Sequence, residues 1–366
     1  MTELRREDRQ SFVHFLRMPT EMFDEILQRV GPRIAKQNTF YRNPLEPGLK
    51  LAITLRHLAS GAKYRSMQYG WRVPHNTISV FIPEVCQAII DEYVDEVMPF
   101  PSTMDDWKRI AEGFMEKWNF PHALGALDGK HVACKCPPGS GSTYFNYKKF
   151  YSIVLLALVD SDYKFIWADI GGRGAASDAQ LWNASDLKSA IEDGDLDLPD
   201  AEPLPHDTED IPYFYIGFVK PGMSFPSYTL EANFGRTNRR TDGDDAFGLR
   251  TFMQKPYGHR ALALRKGYSI TGSREHVEFQ VLMSTMQHHP STIRLIVTTC
   301  LVLHNLMRTR YPRLQNRLVD HEGRNQEIVP GEWRNGRQMR DCQVVQGPNR
   351  DNREGEKGTQ YLETLD

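Results

Sequence analysis

The apolar residues of this chain change period once, near residue 120, and that change limits the folds open to it. Before it, apolar positions return every three or four residues: Met22, Phe23, Ile26, Leu27 and Val30 in one run, Leu49, Leu51, Ala52, Leu55 and Leu58 in a second. Such spacing lays one stripe of a helix against a core. Gly31-Pro32 is expected to end the first helix and Gly61 the second. A third follows Pro74 through PHNTISVFIPEVCQAIIDEYV, where Pro83 either kinks it or divides it. MDDWKRIAEGFMEKW makes a fourth, with Asp105 and Asp106 at its start and Lys117 near its end, the polarity a helix dipole prefers. After Pro121 the pattern becomes strand-like. ALGALDGKHVACKC, FYSIVLLALVD and YKFIWADIG are expected to pair as an antiparallel meander. DAQLWNASDLKSAIEDG reads as a helix from Asp178 to Gly194, and YFYIG as a fourth strand.

A helical front and a strand-rich back predict an α/β (α+β mixed) fold. A small all-α, helix-turn-helix-like region at 1–98 precedes a linker and helix at 99–120 and a mixed-sheet core with flanking helices at 121–311. The last helix of that core runs from about Thr292 to Arg310, after Pro290-Ser291. Residues 312–366 turn polar and charged, the composition of a largely disordered tail. The longest apolar run, SIVLLALV at 152–159, is too short to cross a bilayer, so no membrane partner is expected. The N-terminus shows no apolar leader, and five scattered cysteines fit a reducing compartment, cytosol or nucleus. A net charge of −2 excludes the uniformly basic surface of a protein that coats duplexes. Contacts with phosphates would have to come from local patches: Lys148-Lys149, Arg239-Arg240, Arg260 with Arg265-Lys266, and Arg308-Arg310-Arg313.

Two acidic residues stand where strand-like runs meet turns, Asp128 in GALDGKH and Asp178 in GGRGAASDAQLW. Carboxylates gathered by a sheet can hold Mg²⁺ or Mn²⁺, hard cations that take oxygen ligands and keep open positions for a phosphate oxygen and an attacking water. A plainer account is also open: Asp before Gly is a common turn residue, and Asp opening a helix a common N-cap. His131, Cys134 and Cys136 form a rival metal set, but strand alternation turns His131 away from the two thiols, and the chain has no CxxC pair. In the helical region, a short helix, a turn and a longer helix fit a helix-turn-helix reader of DNA, with Arg65, His75, Asn76 and Thr77 at the start of its recognition element. A bundle that binds nothing gives the same spacing.

The ordered set FLRMPTEMFDEIL, LRHLASGAKYRSMQYGWRV, GALDGKHVACKCP, YFNYKKFYSIVLLALVDSDYKF, SDAQLWNASDL, GDDAFGLRTFMQKPY, STMQHHPSTIRLIVTTCLVLHNLMRTRYP and VDHEGRNQEIVPGEWR resembles the PIF/Harbinger transposases and the domesticated nuclease-like proteins derived from them. The resemblance covers nearly the whole chain. It implies an RNase H-like core with a DDE-type metal triad behind a helical DNA-binding region, and metal-assisted hydrolysis and transesterification of double-stranded DNA in the nucleus, often with a Myb-like partner protein. On it, Asp128 corresponds to the first metal-binding aspartate, Asp178 to the second, and Asp244 in GDDAF to a recurrent acidic position with a supporting role at the metal.

The departure from the family lies at the third carboxylate. Where relatives read close to FNYRLSRARRVVENAFG, this chain reads RKGYSITGSREHVEFQVLMSTM. Permitted codons for its first fourteen residues, read from the third base, spell ERIFNYRLSRARR, so the segment is what an out-of-frame translation of the family helix would produce. Residues 218–242 likewise read as an insertion, and 258–280 as an aberrant segment. Glu278 is the nearest stand-in for the lost glutamate; Glu231 in LEANFGR precedes GDDAF and arrives in the wrong order. The expectation is a divalent-metal-dependent DNA endonuclease or strand-transfer fold weakened by that loss. Its alternative is a non-catalytic DNA-binding or scaffold protein.

Overall fold

In a computed structural model of the chain, the residues described are 2–38, 40, 43–204, 208–217, 253–254, 279–312, 321–322 and 328–329. Six helices come first: α1 (Thr2–Glu7), α2 (Arg9–Leu16), α3 (Thr20–Ile34), α4 (Pro47–Ser60), α5 (Tyr64–Trp71) and α6 (His75–Val97). Gly31-Pro32 does not end α3, which runs three residues past the glycine to Ile34. Gly31 and Ile34 are buried there, so packing outweighs the proline. Pro83 likewise sits inside one continuous α6, held by Ile78, Phe81, Ile82, Val85 and Ile89, all buried. α7 (Met104–Trp118) opens with a capping box between Thr103 and Asp106 and ends at Asn119 in the left-handed conformation.

The expected meander follows. β1 (Ala123–Ala133) pairs antiparallel with β2 (Ser152–Val159), and β2 with β3 (Phe165–Arg173). The predicted 178–194 helix is broken into α8 (Asp178–Asn183) and α9 (Asp186–Asp193), because Ser185 caps a new start by accepting from the Lys188 amide. Between α9 and the next strand of the sheet lies a two-residue ladder of β4 (Glu202–Pro203) with β5 (Asp210–Ile211). β6 (Phe214–Gly217) then returns parallel to β1, and β7 (Met253–Gln254) parallel to β6, giving a mixed sheet of order β3-β2-β1-β6-β7. A 3₁₀ turn at Gln280–Met283 leads to α10 (Pro290–Arg310). In the polar tail, β8 (His321–Glu322) and β9 (Ile328–Val329) form a second short ladder.

Every residue of β2 is buried, which a strand needs when both faces of its sheet are covered. Ile153, Leu155, Ala157 and Val159 face α6 and α10, within a cluster that runs from Phe12 through the N-terminal helices to Met307. Leu156 and Leu158 face the other way, against Trp107 of α7, Trp182 of α8 and Leu187 of α9. The helical region at 1–98 therefore shares its core with the sheet. Asn305 of α10 pins that junction: buried, it accepts from the Phe165 amide at 2.9 Å and donates to the carbonyls of Phe165 and Val97 at 2.8 Å each.

Candidate active site

Asp128 sits where β1 stops being fully buried. Residues 123–127 are covered on both faces, and from Asp128 to His131 the strand is half exposed. Its Oδ1 accepts from the Gly129 amide at 2.9 Å. Asp178 is the first residue of α8, but it is not the cap that the plain reading offered. Ser177 takes that role, accepting from the Gln180 amide at 3.2 Å while Gln180 Oε1 accepts from the Ser177 amide at 2.9 Å. With the cap supplied by its neighbour, the Asp178 carboxylate turns onto the sheet, where it is 6% exposed.

It comes to rest over Gly129. A Cβ placed on that glycine would stand 2.6 Å from Asp178 Oδ1 and 2.7 Å from its Cγ. Only a residue without a side chain admits the carboxylate here, which gives the Asp-Gly pair of β1 a steric reason beyond turn propensity.

The structure thus brings Asp178 to the residue next to Asp128, yet the pleat separates the two side chains. Asp128 pairs with Ala157, which belongs to the α6 and α10 side of the sheet, and Gly129 pairs with Leu156, on the α7 and α8 side. Strand alternation directs Asp128 to the first side, while Asp178 lies on the second. β6 ends at Gly217, opposite Leu127, so among the described residues no strand flanks Asp128 and Gly129 on that edge.

Other carboxylates are placed differently. Asp160, half-buried and with its carboxyl pushed up by desolvation, closes the β2–β3 turn by accepting from the amides of Asp162 at 2.8 Å and Lys164 at 2.9 Å. Asp169, which sequence reasoning passed over, is exposed on β3 and reaches Gly129's cross-strand row through Leu156. Its only signal would have been the strand register, which no local motif reveals. Among the described residues no three His, Cys, Asp or Glu side chains form a metal-sized group. Asp244, Glu278 and Glu231 lie outside the described residues. Of the rival zinc set, His131 Nδ1 lies 2.9 Å from Ser152 Oγ, and Cys134 is buried with its thiol pushed up to about 11 by burial.

In the helical region, α5 and α6 are joined by residues 72–74, with Arg72 in the left-handed conformation. The four residues expected at one recognition element are split between two helices, Arg65 on α5 and His75, Asn76 and Thr77 on α6. Arg65 and Asn76 are exposed. His75 instead fixes the turn, its amide and Nδ1 both meeting Gln68 Oε1, at 3.1 and 2.9 Å. Of the arginine patch at 308–313, Arg308 is buried with its guanidinium 5.3 Å from the Tyr163 ring, and Arg310 is paired with Glu25 and Glu96; neither is presented to phosphates.

Residues 127–208, which hold both aspartates, match the model of the DDE superfamily endonuclease family. The chain is 21% identical over 291 residues to a protein of Rattus norvegicus named putative nuclease HARBI1, covering 79% of this chain and 74% of that one. The putative nuclease HARBI1 of Homo sapiens is 20% identical over 302 residues, with the same shares. A protein ALP1-like of Arabidopsis thaliana is 24% identical over 169 residues, 46% of this chain and 41% of the relative. No solved structure matches the chain.

Proposed function

The chain is a Harbinger-type DDE superfamily protein, and from that premise we propose that it is a transposase-derived nuclease acting on double-stranded DNA with Mg²⁺ or Mn²⁺ held at the Asp128–Asp178 corner. One observation carries the reading: the Asp178 carboxylate is delivered onto Gly129, beside Asp128, at a place where any side chain would bar it. The donors are carboxylate oxygens, which suit a hard divalent ion. Bound there, such an ion would acidify a water and stabilise the departing 3′ oxygen. Because strand alternation puts the two side chains on opposite sides of the pleat, a site using both lies beyond the Leu127–Gly217 pair, where among the described residues no strand flanks Gly129. Asp178, buried and freed from capping, is the fixed donor; Asp128, half exposed, is the one that meets substrate. Asp244 and Glu278, outside the described residues, are the candidates that the family resemblance supplies for the remaining oxygen donors. Arg65 and Asn76, both exposed, with His75 and Thr77 at the start of α6, contact the duplex, and a Myb-like protein is the partner the family resemblance suggests.

A labelled duplex incubated with Mg²⁺, Mn²⁺ or EDTA tests this. Nicking in the two metals, none in EDTA, and loss of nicking in Asp128→Asn and Asp178→Asn are the expected results. Unchanged nicking in Asp128→Asn would sink the role given to that residue. The separation of the two carboxylates by the pleat favours a second reading, a non-catalytic DNA-binding or scaffold protein. It requires a salt-sensitive shift of the duplex with no metal-dependent product.

A further inference from the structure

The segment from Gly129 to Ser152 carries four lysines, 130, 135, 148 and 149, and not one Asp or Glu, in a chain whose net charge is −2. Five aromatic residues interleave with them: Tyr144, Phe145, Tyr147, Phe150 and Tyr151. The end of this segment is built as a rigid loop. Asn146, 3% exposed, clamps it from inside by donating to Ser152 Oγ at 2.9 Å and accepting from the Phe150 amide at 3.2 Å. Phe145 and Tyr151 close its neck as an isolated bridge, their rings edge-to-face at 5.2 Å. Lys149 is held at φ 65°, its amide bonded to the Asn146 carbonyl at 3.0 Å. A side chain at Gly174 would collide with the Tyr144 carbonyl and Ser152, so the end of β3 presses the loop in place.

What the loop presents outward is Tyr147, 60% exposed, with Lys148 and Lys149 exposed beside it. The Lys148 ammonium lies 5.9 Å from the Tyr147 ring centroid, so charge and ring are held together at the surface. The loop is also anchored to the candidate site. The Tyr147 ring packs edge-on against His131 at 5.6 Å. His131 and Gly129 are two residues apart on one strand, so they share a face roughly 7 Å apart along it, and that is the face on which Asp178 lies.

We propose that the 144–151 loop is a stacking platform for an unpaired DNA base next to the Asp128–Asp178 corner, Tyr147 taking the base and Lys148 and Lys149 the flanking phosphates. Exposed aromatic rings bind bases whose faces are not already stacked, and adjacent lysines follow the backbone; a paired duplex offers the second contact but not the first. The choice of DNA rests on the function proposed above, but the binding requires no ion.

The test is therefore made in EDTA, with the full chain, against oligonucleotides carrying 2-aminopurine in an unpaired stretch or in a duplex. Fluorescence of the unpaired probe should be quenched on binding. Tyr147→Ala should weaken that binding by roughly 5-fold or more and abolish the quench, with duplex affinity unchanged, while Tyr147→Phe keeps both. Lys148→Gln should flatten the salt dependence by about 0.7 in slope. Unchanged affinity in Tyr147→Ala, an equal loss on duplex, or tighter binding of the matching RNA would each overturn the proposal. Nicking is not read in this assay, so a failed metal site and a failed platform give different results.

Discussion

Two regions of this molecule use their cations in opposite ways. Where α3, α6 and α10 meet, arginines are consumed within the fold. Arg29 donates to Glu92 at 2.9 Å and to Glu96 at 2.7 Å with its guanidinium 4.2 Å from the Tyr93 ring, Arg33 reaches Glu92 at 2.8 Å, and Arg310 bridges Glu25 and Glu96. In the 144–151 loop, lysines are held out on a braced turn with no acid in their own segment. The first arrangement fastens helices to one another; the second offers charge to something else. Sequence alone could not separate them, because 308–313 and 148–149 look equally like phosphate patches.

The contrast predicts graded outcomes. The largest belongs to the neutral partner of the helix network, Asn305. Asn305→Ala strands the Phe165 amide and the carbonyls of Phe165 and Val97 in the core, and each buried group left unpaired costs about 1–3 kcal/mol. A loss of about 3–5 kcal/mol in urea-unfolding free energy is expected; less than about 1 kcal/mol would mean that water or a repacked neighbour takes over.

Next comes Arg29→Ala. Its side chain is about a third exposed, so screening discounts the ion pairs, and about 1–2 kcal/mol is expected, part of it from the lost contact with Tyr93. This effect should depend on pH. The hydrogen bond from Arg29 holds Glu92 below its ordinary value of 4.5, and hydrogen bonds from Arg29 and Arg310 do the same for Glu96. A carboxyl lowered on folding contributes in full above its unfolded value and loses that contribution as pH falls through the lowered one. The Tm difference between the parent and Arg29→Ala should therefore be constant above about pH 5.5 and shrink below 4.5. A difference undiminished at pH 3 would assign it to the Tyr93 contact alone.

Much of the fold was legible because it rests on apolar period. The β1–β3 meander, α7 with its acidic first turn and α10 after Pro290 all follow from local pattern. Misjudged were the places where packing overrides a local signal, as at Pro32, or where a neighbour takes a role by one position, as Ser177 takes the cap from Asp178; at Pro83, where a kink and a division both stood open, the helix is not divided. At the candidate site, the approach of Asp178 to β1 is a tertiary fact. Nothing in GALDGKH or ASDAQLW says that they meet, and only the register shows that the pleat turns Asp128 away. Asp244 and Glu278 lie outside the described residues.

The smallest effect sharpens the comparison most, because its sign separates the two uses of charge. Lys149 occupies the left-handed region at φ 65°, which costs a residue with a Cβ about 1–2 kcal/mol. Glycine relieves that strain and gives back part of the gain through the entropy of the unfolded chain. The bond to the Asn146 carbonyl is made by the backbone and survives. Lys149→Gly should therefore leave Tm the same or slightly higher, while weakening binding of unpaired DNA and lowering its salt dependence. A fall in Tm would show that the lysine stabilises the loop, as the arginines stabilise the helices, and that its charge is not held for a partner.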